Sequence, residues 1–232
     1  MVGPKFGLCS GTNYFNMTAS SDAYTDSVTY GDGAGSGAYW FGGGPGVDPS
    51  SNWSTVSEAK TWGADQAMKA ITMANAYTLN SSVLWIDVEQ GAGWRNRYSS
   101  CGVISGTVSP ALARDVFDGF WNYLEQHTTG YSPGAYSSHS FWDDPGGSNS
   151  LGSLGSTMQW TSNWAANNNA CANPGPSDWT QRFSPSCNGY TQYSAAFFGG
   201  IASSSSCAVV WQWSGGTQDY DQFDMNREYS CV

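Results

Sequence analysis

The chain has 232 residues and a formal charge of −10, with only 8 lysines and arginines. It contains no basic run, which argues against nucleic-acid binding and against docking on an anionic membrane. Charged residues make up 11% of the chain, whereas Gly, Ser, Asn, Tyr and Trp abound, so the surface suits uncharged ligands such as sugars.

The first four residues, Met1-Val2-Gly3-Pro4, lack the basic start and apolar stretch of a signal peptide. The expectation is a mature form without its export signal. Short runs at 5–9 and 27–30 have strand character, as does 37–41, reading GAYWF. A helix is predicted over about 54–77, with Ser54 as candidate cap and Ala, Met and Ile recurring at helical spacing. The run 83–88, VLWIDV, is the next strand. A second helix is predicted over 109–127. Ser109 takes its N-cap, Pro110 the first helical position, and Leu112, Val116, Phe120 and Leu124 a buried row. Strands follow at 133–137, 157–161 and 207–213, with a weaker helical segment at 191–202. Gly/Ser/Asn-rich loops lie between these runs, without any linker or internal repeat, and 232 residues suit one domain spanning 1–232. No stretch approaches the ~18 apolar residues of a spanning helix.

From 37 onward the order is strand, helix, strand, helix, strand. That alternation predicts an α/β fold built from parallel βαβ units, and apolar runs such as VLWI suit strands covered on both faces. In such folds ligands bind at the carboxyl ends of strands. Asp87 and Glu89 fall at one of these ends. On a continued strand their Cα atoms would be about 6.6 Å apart, with side chains on one side. Two carboxylates so placed have their proton affinities driven apart, as general acid–base chemistry requires. A strand end entering a solvated loop is the plainer alternative.

Three further features stand out. The stretch VVWQWSGGTQDYDQFD, 209–224, delivers Trp211 and Trp213 to a strand end and follows them with an acidic loop holding Asp219, Asp221 and Asp224. A calcium loop competes here, although the glycine and terminal glutamate of an EF-hand are missing. The stretch SPGAYSSHSFWDD, 132–144, carries Tyr136 and His139, the histidine read as a polar loop residue. Tyr39, Trp40, Phe41, Trp85, Tyr136, Trp160, Trp211 and Trp213 lie at or near predicted strand ends. Each ring is either core or a flat face for a sugar. No GxGxxG or Walker pattern occurs, so no nucleotide cofactor is expected, and with only two histidines in the chain no metal centre is expected either.

Six cysteines, Cys9, Cys101, Cys171, Cys187, Cys207 and Cys231, show no Cys-x-x-Cys spacing and are joined by only two histidines. Three disulfides in an oxidising compartment are the expectation, with Cys171–Cys187 and Cys207–Cys231 suggested by proximity alone. Asn16, Asn52 and Asn80 fit the glycosylation acceptor pattern.

GAYWF, a helix with WGADQA, LWIDVE, GAYSS…FW and VVWQWSGG…DYDQF occur in one order over roughly 37–224. In that order and spacing the chain resembles glycoside hydrolase family 25, the lysozymes of fungal and bacterial type. The resemblance implies an irregular TIM-like (β/α) barrel, here disulfide-stabilised. It makes Glu89 the general acid protonating the glycosidic oxygen and Asp87 its electrostatic or acetamido-orienting partner, with Asp219 the acid of the last loop. Tyr136 would be a cleft residue, with Tyr39, Trp40, Trp160, Trp211 and Trp213 available to contact sugar. The implied substrate is a cell-wall polysaccharide cleaved at β-1,4 bonds after N-acetylmuramic acid. The expected protein is a secreted monomer with no nucleic-acid or membrane partner. The family's opening Gly-x-Asp strand has no counterpart in KFGLCSGTNYF. A non-catalytic carbohydrate-binding barrel, or a glycosidase on chitin or another wall glycan, stays open beside this reading.

Overall fold

The parallel pair of β1 (Ala38–Phe41) and β2 (Val83–Asp87) sets the frame for everything around it. Ala38 is level with Leu84, Tyr39 with Trp85, Trp40 with Ile86 and Phe41 with Asp87. Parallel neighbours need a crossover, and α1 (Val56–Ala76) supplies it. All five residues of β2 are buried, as expected of a strand covered on both faces. The structure, a computed structural model, describes residues 38–47, 54–76, 83–90, 92–99, 102–127, 130–154, 157–162, 208–214 and 220–223. The strands expected at 5–9 and 27–30, the helix at 191–202 and all six cysteines lie outside the described residues.

The remaining elements are β3 (Asn96–Ser99), β4 (Gly102–Thr107), α2 (Pro110–Gln126), β5 (Ser132–Ser138), α3 (His139–Trp142), β6 (Met158–Ser162), β7 (Ala208–Ser214) and β8 (Tyr220–Phe223). Two compact units emerge, Met1–Ala135 with Gly146–Leu151, and Tyr136–Pro145 with Gly152–Val232. In the first, the sheet runs β1-β2-β5, and β3 and β4 form a separate antiparallel ribbon. In the second it runs β5-β6-β7-β8, with β6 and β7 parallel and β7 and β8 antiparallel. The fold is α/β, as the alternation of elements predicts.

Helix α1 starts at a capping box. Thr55, rather than the expected Ser54, is the cap: its hydroxyl accepts from Glu58 N at 3.3 Å. The Glu58 carboxylate in turn accepts from the backbone N–H groups of Thr55 (3.0 Å) and Ser54 (3.1 Å). The buried stripe of α1 is Ala59, Trp62, Gly63, Gln66, Ala67, Ala70 and Ala74. Of the Ala, Met and Ile expected at helical spacing, the alanines form the core face, whereas Ile71 and Met73 are half buried and Met68 is exposed.

Small residues let α1 approach α2 closely. A Cβ on Gly63 would lie 2.0 Å from the Val116 carbonyl oxygen, and one on Gly119 would lie 2.2 Å from that of Lys60. Helix α2 has Ser109 at its N-cap and Pro110 at the first position, but the serine side chain makes no capping bond. Its core face is Ala113, Val116, Phe117, Phe120 and Leu124. Leu112, expected in that row, is only half buried. A row of i, i+4, i+8 steps drifts about 40° per step around a 3.6-residue helix, which rotates Leu112 off the seam. Burying Phe117 and Phe120 is worth roughly 1.5–3 kcal/mol each. Arg114 ties the Gly146–Leu151 segment to α2, donating to the Leu151 carbonyl at 3.0 Å while bonded to Asp118 at 2.7 Å.

Candidate functional site

The register of β1 on β2 sorts the aromatic run by parity. Side chains alternate along a strand, so Tyr39, Phe41, Trp85 and Asp87 share one face while Trp40, Leu84 and Ile86 share the other. Contacts agree with that sorting. Trp40 donates its indole N–H to Gln66 Oε1 on α1 at 3.1 Å. On the opposite face, Gly134 of β5 lies so close that a Cβ there would sit 2.4 Å from the Trp85 ring. Trp40 is therefore a core residue, 1% exposed, and its expected contact with sugar is corrected. Its neighbour Tyr39 is half buried on the face that carries Asp87.

Strand β2 ends at Asp87, which is 4% exposed. Val88 is fully buried, Glu89 is half buried and Gln90 is exposed. The two carboxylates thus occupy different environments, one within the sheet's end and one on the loop beyond it. That loop is tied down at both sides of Glu89. Gly42 N donates to the Asp87 carbonyl at 2.8 Å, and Gly44 N donates to the Ala92 carbonyl at 2.7 Å. Gly46 N adds a bond to the Gly93 carbonyl at 2.9 Å, and Trp94 Nε1 donates to the Gly42 carbonyl at 2.7 Å.

Glycines make this zipper possible. A Cβ on Gly44 would lie 2.6 Å from the backbone of Gly93, and one on Gly46 would lie 2.3 Å from the Asn96 carbonyl oxygen. Gly93 has φ +74°, a left-handed conformation that side-chain-bearing residues rarely adopt. Beneath the zipper sits a buried polar hub. Gln66 Oε1 accepts from Gly43 N at 2.7 Å as well as from Trp40, and Gln66 Nε2 donates to the Gly43 carbonyl at 2.8 Å. Trp62 Nε1 donates to the same carbonyl at 2.8 Å.

Gln66 escaped the reading of the sequence. Its signal was a polar residue at a stripe position otherwise held by Ala, Gly and Trp, which only makes sense if a backbone group meets it there. The β3–β4 ribbon also went unanticipated, because NRYSSCGVISGT lacks an apolar alternation. Its root continues from the Glu89 loop, where Val108 N donates to the Arg95 carbonyl at 2.8 Å.

In the second unit, Tyr136 and Trp160 are 5% and 4% exposed and pack on each other, ring centroids 4.2 Å apart at 52°. Rings so covered offer little surface to a ligand, so core packing describes them better than the expected sugar contact. His139 opens the short α3 rather than a loop. It lies 3.7 Å from the Asp143 carboxylate, and Ser138 Oγ caps the turn by accepting from Phe141 N at 3.1 Å. Trp211 and Trp213 belong to β7, and Asp221 belongs to β8 rather than to a loop. Asp219 and Asp224 lie outside the described residues.

Among the described residues no group of three or more His, Cys, Asp or Glu gathers as a metal cluster, and no helix is long and apolar enough to cross a membrane. Of the expected site residues in the first unit, Asp87 ends β2 and Glu89 follows it, while Tyr39 lies two residues before the end of β1 on the face that carries Asp87. No protein-family model, curated protein or solved structure matches the chain.

Proposed function

We propose that this protein is a secreted, disulfide-bonded glycoside hydrolase of (β/α)-barrel type acting on a cell-wall glycan, with β-1,4-N-acetylmuramidase activity the favoured case. Glu89 is the general acid that protonates the leaving glycosidic oxygen. Asp87 stabilises the positive charge that develops at the anomeric carbon, or orients the substrate's acetamido group so that it can do so. Tyr39, on the strand face that carries Asp87, is a sugar-contacting ring in this reading, and the family resemblance adds Asp219 as a further acid.

One observation carries the reading. A parallel strand ends in two carboxylates of unlike environment, Asp87 buried and Glu89 half buried, on a loop fastened at both sides. Unlike environments drive two proton affinities apart, as acid–base pairs need. Burial alone would place the proton on Asp87, and it is the family resemblance that gives the acid role to Glu89. Strand carboxyl ends are where α/β folds place their chemistry. The resemblance of LWIDVE and its companion motifs to the family 25 lysozymes supplies the substrate class.

The test is to incubate the protein with purified bacterial walls, chitin oligomers and arabinan-type glycans and to weigh the released fragments. New reducing ends from walls, lost in Glu89→Gln while the glycan is still bound, are the expected result. Binding without release from any of the three would make the protein a carbohydrate-binding barrel instead.

A further inference from the structure

We infer that Gln66 is the positioning residue for Glu89, acting through the buried backbone of Gly42–Gly44. This rests on the reading of Glu89 as the general acid. The chain of contacts is continuous. Gln66 is 0% exposed, and its amide closes a two-bond ring with the peptide groups of Gly43, 2.7 Å to the N–H and 2.8 Å to the carbonyl. The residues on either side of Gly43 then hold the Glu89 loop at its two ends, Gly42 at Asp87 and Gly44 at Ala92.

The side-chain amide takes the place of a neighbouring strand for one residue of backbone. Its orientation is fixed as well, since Oε1 accepts twice and Nε2 must face a carbonyl. A helix residue thus sets the height at which the Glu89 loop leaves the sheet. A general acid depends on that height, because proton transfer needs hydrogen-bond reach to the leaving oxygen.

Two variants test this in the full-length protein. Gln66→Met keeps the length of the side chain and removes both polar atoms. Gln66→Glu keeps the acceptor and removes the donor that faces Gly43. Three measurements are made: amide exchange at Gly43 and Gly44, the titration midpoint of the Glu89 carboxyl by carbon NMR, and kcat and KM on bacterial walls.

In Gln66→Met the exchange at both glycines should quicken and the Glu89 midpoint should move. Its kcat should fall by up to about 10²-fold with KM little changed, the scale of a 1 Å misplacement. Gln66→Glu should leave Gly43 its acceptor but loosen Gly44 and move the Glu89 midpoint at neutral pH. Its protection factors, corrected for the slower intrinsic exchange in acid, should return to the wild-type level where the protonated carboxyl can donate to Gly43. If both variants keep wild-type exchange and an unmoved Glu89 midpoint, the inference is overturned. It is overturned equally if the loop loosens while kcat stays at the wild-type value. Should wild type cleave no glycan, the functional proposal fails by itself, and the exchange and titration results still decide whether Gln66 positions Glu89.

Discussion

The indole N–H of Trp94 donates to the carbonyl oxygen of Gly42 at 2.7 Å, joining residues 52 apart in sequence. Both are buried, and the bare Cα of Gly42 leaves room for the ring: a Cβ there would lie 2.8 Å from Trp94 Cζ2. Trp94→Phe should therefore leave a buried carbonyl without its donor, a loss of about 1–3 kcal/mol beyond the change in ring size. Trp62→Phe should be milder, because the carbonyl that Trp62 serves keeps Gln66 Nε2 as a second donor. Urea midpoints of the two variants measure the difference, and equal losses would contradict this account of the hub.

The helix seam yields a sign reversal. Gly→Ala inside a helix ordinarily stabilises by roughly 0.5–1 kcal/mol. Gly63→Ala and Gly119→Ala should instead destabilise by about 1–3 kcal/mol, since each new methyl meets main-chain atoms of the facing helix that have no rotamer to yield. Chemical denaturation of each variant settles the sign.

Acid weakens the start of α1 through Glu58. The Thr55 hydroxyl, followed by the backbone N–H groups of Ser54 and Thr55, holds its carboxyl below the ordinary glutamate value. A carboxyl depressed in the folded state stabilises above its unfolded value, and that contribution disappears as pH falls through the folded one. Melting temperatures of wild type and Glu58→Gln should thus differ most near neutral pH and converge in acid below the usual glutamate range. A gap that widens in acid would reverse the assignment.

For the proposed reaction, Glu89→Gln should reduce glycan cleavage by about 10²–10⁴-fold, the usual worth of a general acid. Its melting temperature should stay close to that of wild type, because Glu89 is half buried at a loop rather than packed in the sheet. Mass analysis of wall fragments and a thermal scan provide both numbers.

Much of the framework was legible because hydrophobic period and punctuation coincide. VLWID reads as a doubly covered strand and is one, and Ser109-Pro110 opens a helix at the expected residue. Parity was harder to read. Tyr39, Trp40 and Phe41 look alike as a run, and only the register against Trp85, Ile86 and Asp87 tells which ring points toward the helix. Partners far away in sequence were hidden for the same reason. Nothing local to Gln66 announces Gly43, and nothing local to Trp94 announces Gly42. The short strand Tyr220–Phe223 was read as an acidic loop because aspartate and glutamine carry little strand preference of their own, and it is pairing with β7 that extends them.

The sequence GGGPG invites comparison with loops that cradle phosphate on a row of free amide hydrogens. Here that vocabulary misleads. From Gly42 to Val47 every amide hydrogen already points at an oxygen of the protein: those of Asp87, Gln66, Ala92, Gly93 and, for Val47, Gly44. Pro45 brings none. A nucleotide tail or inorganic anion would find nothing to grip at this turn, so its glycines serve intimacy between segments rather than ligand capture.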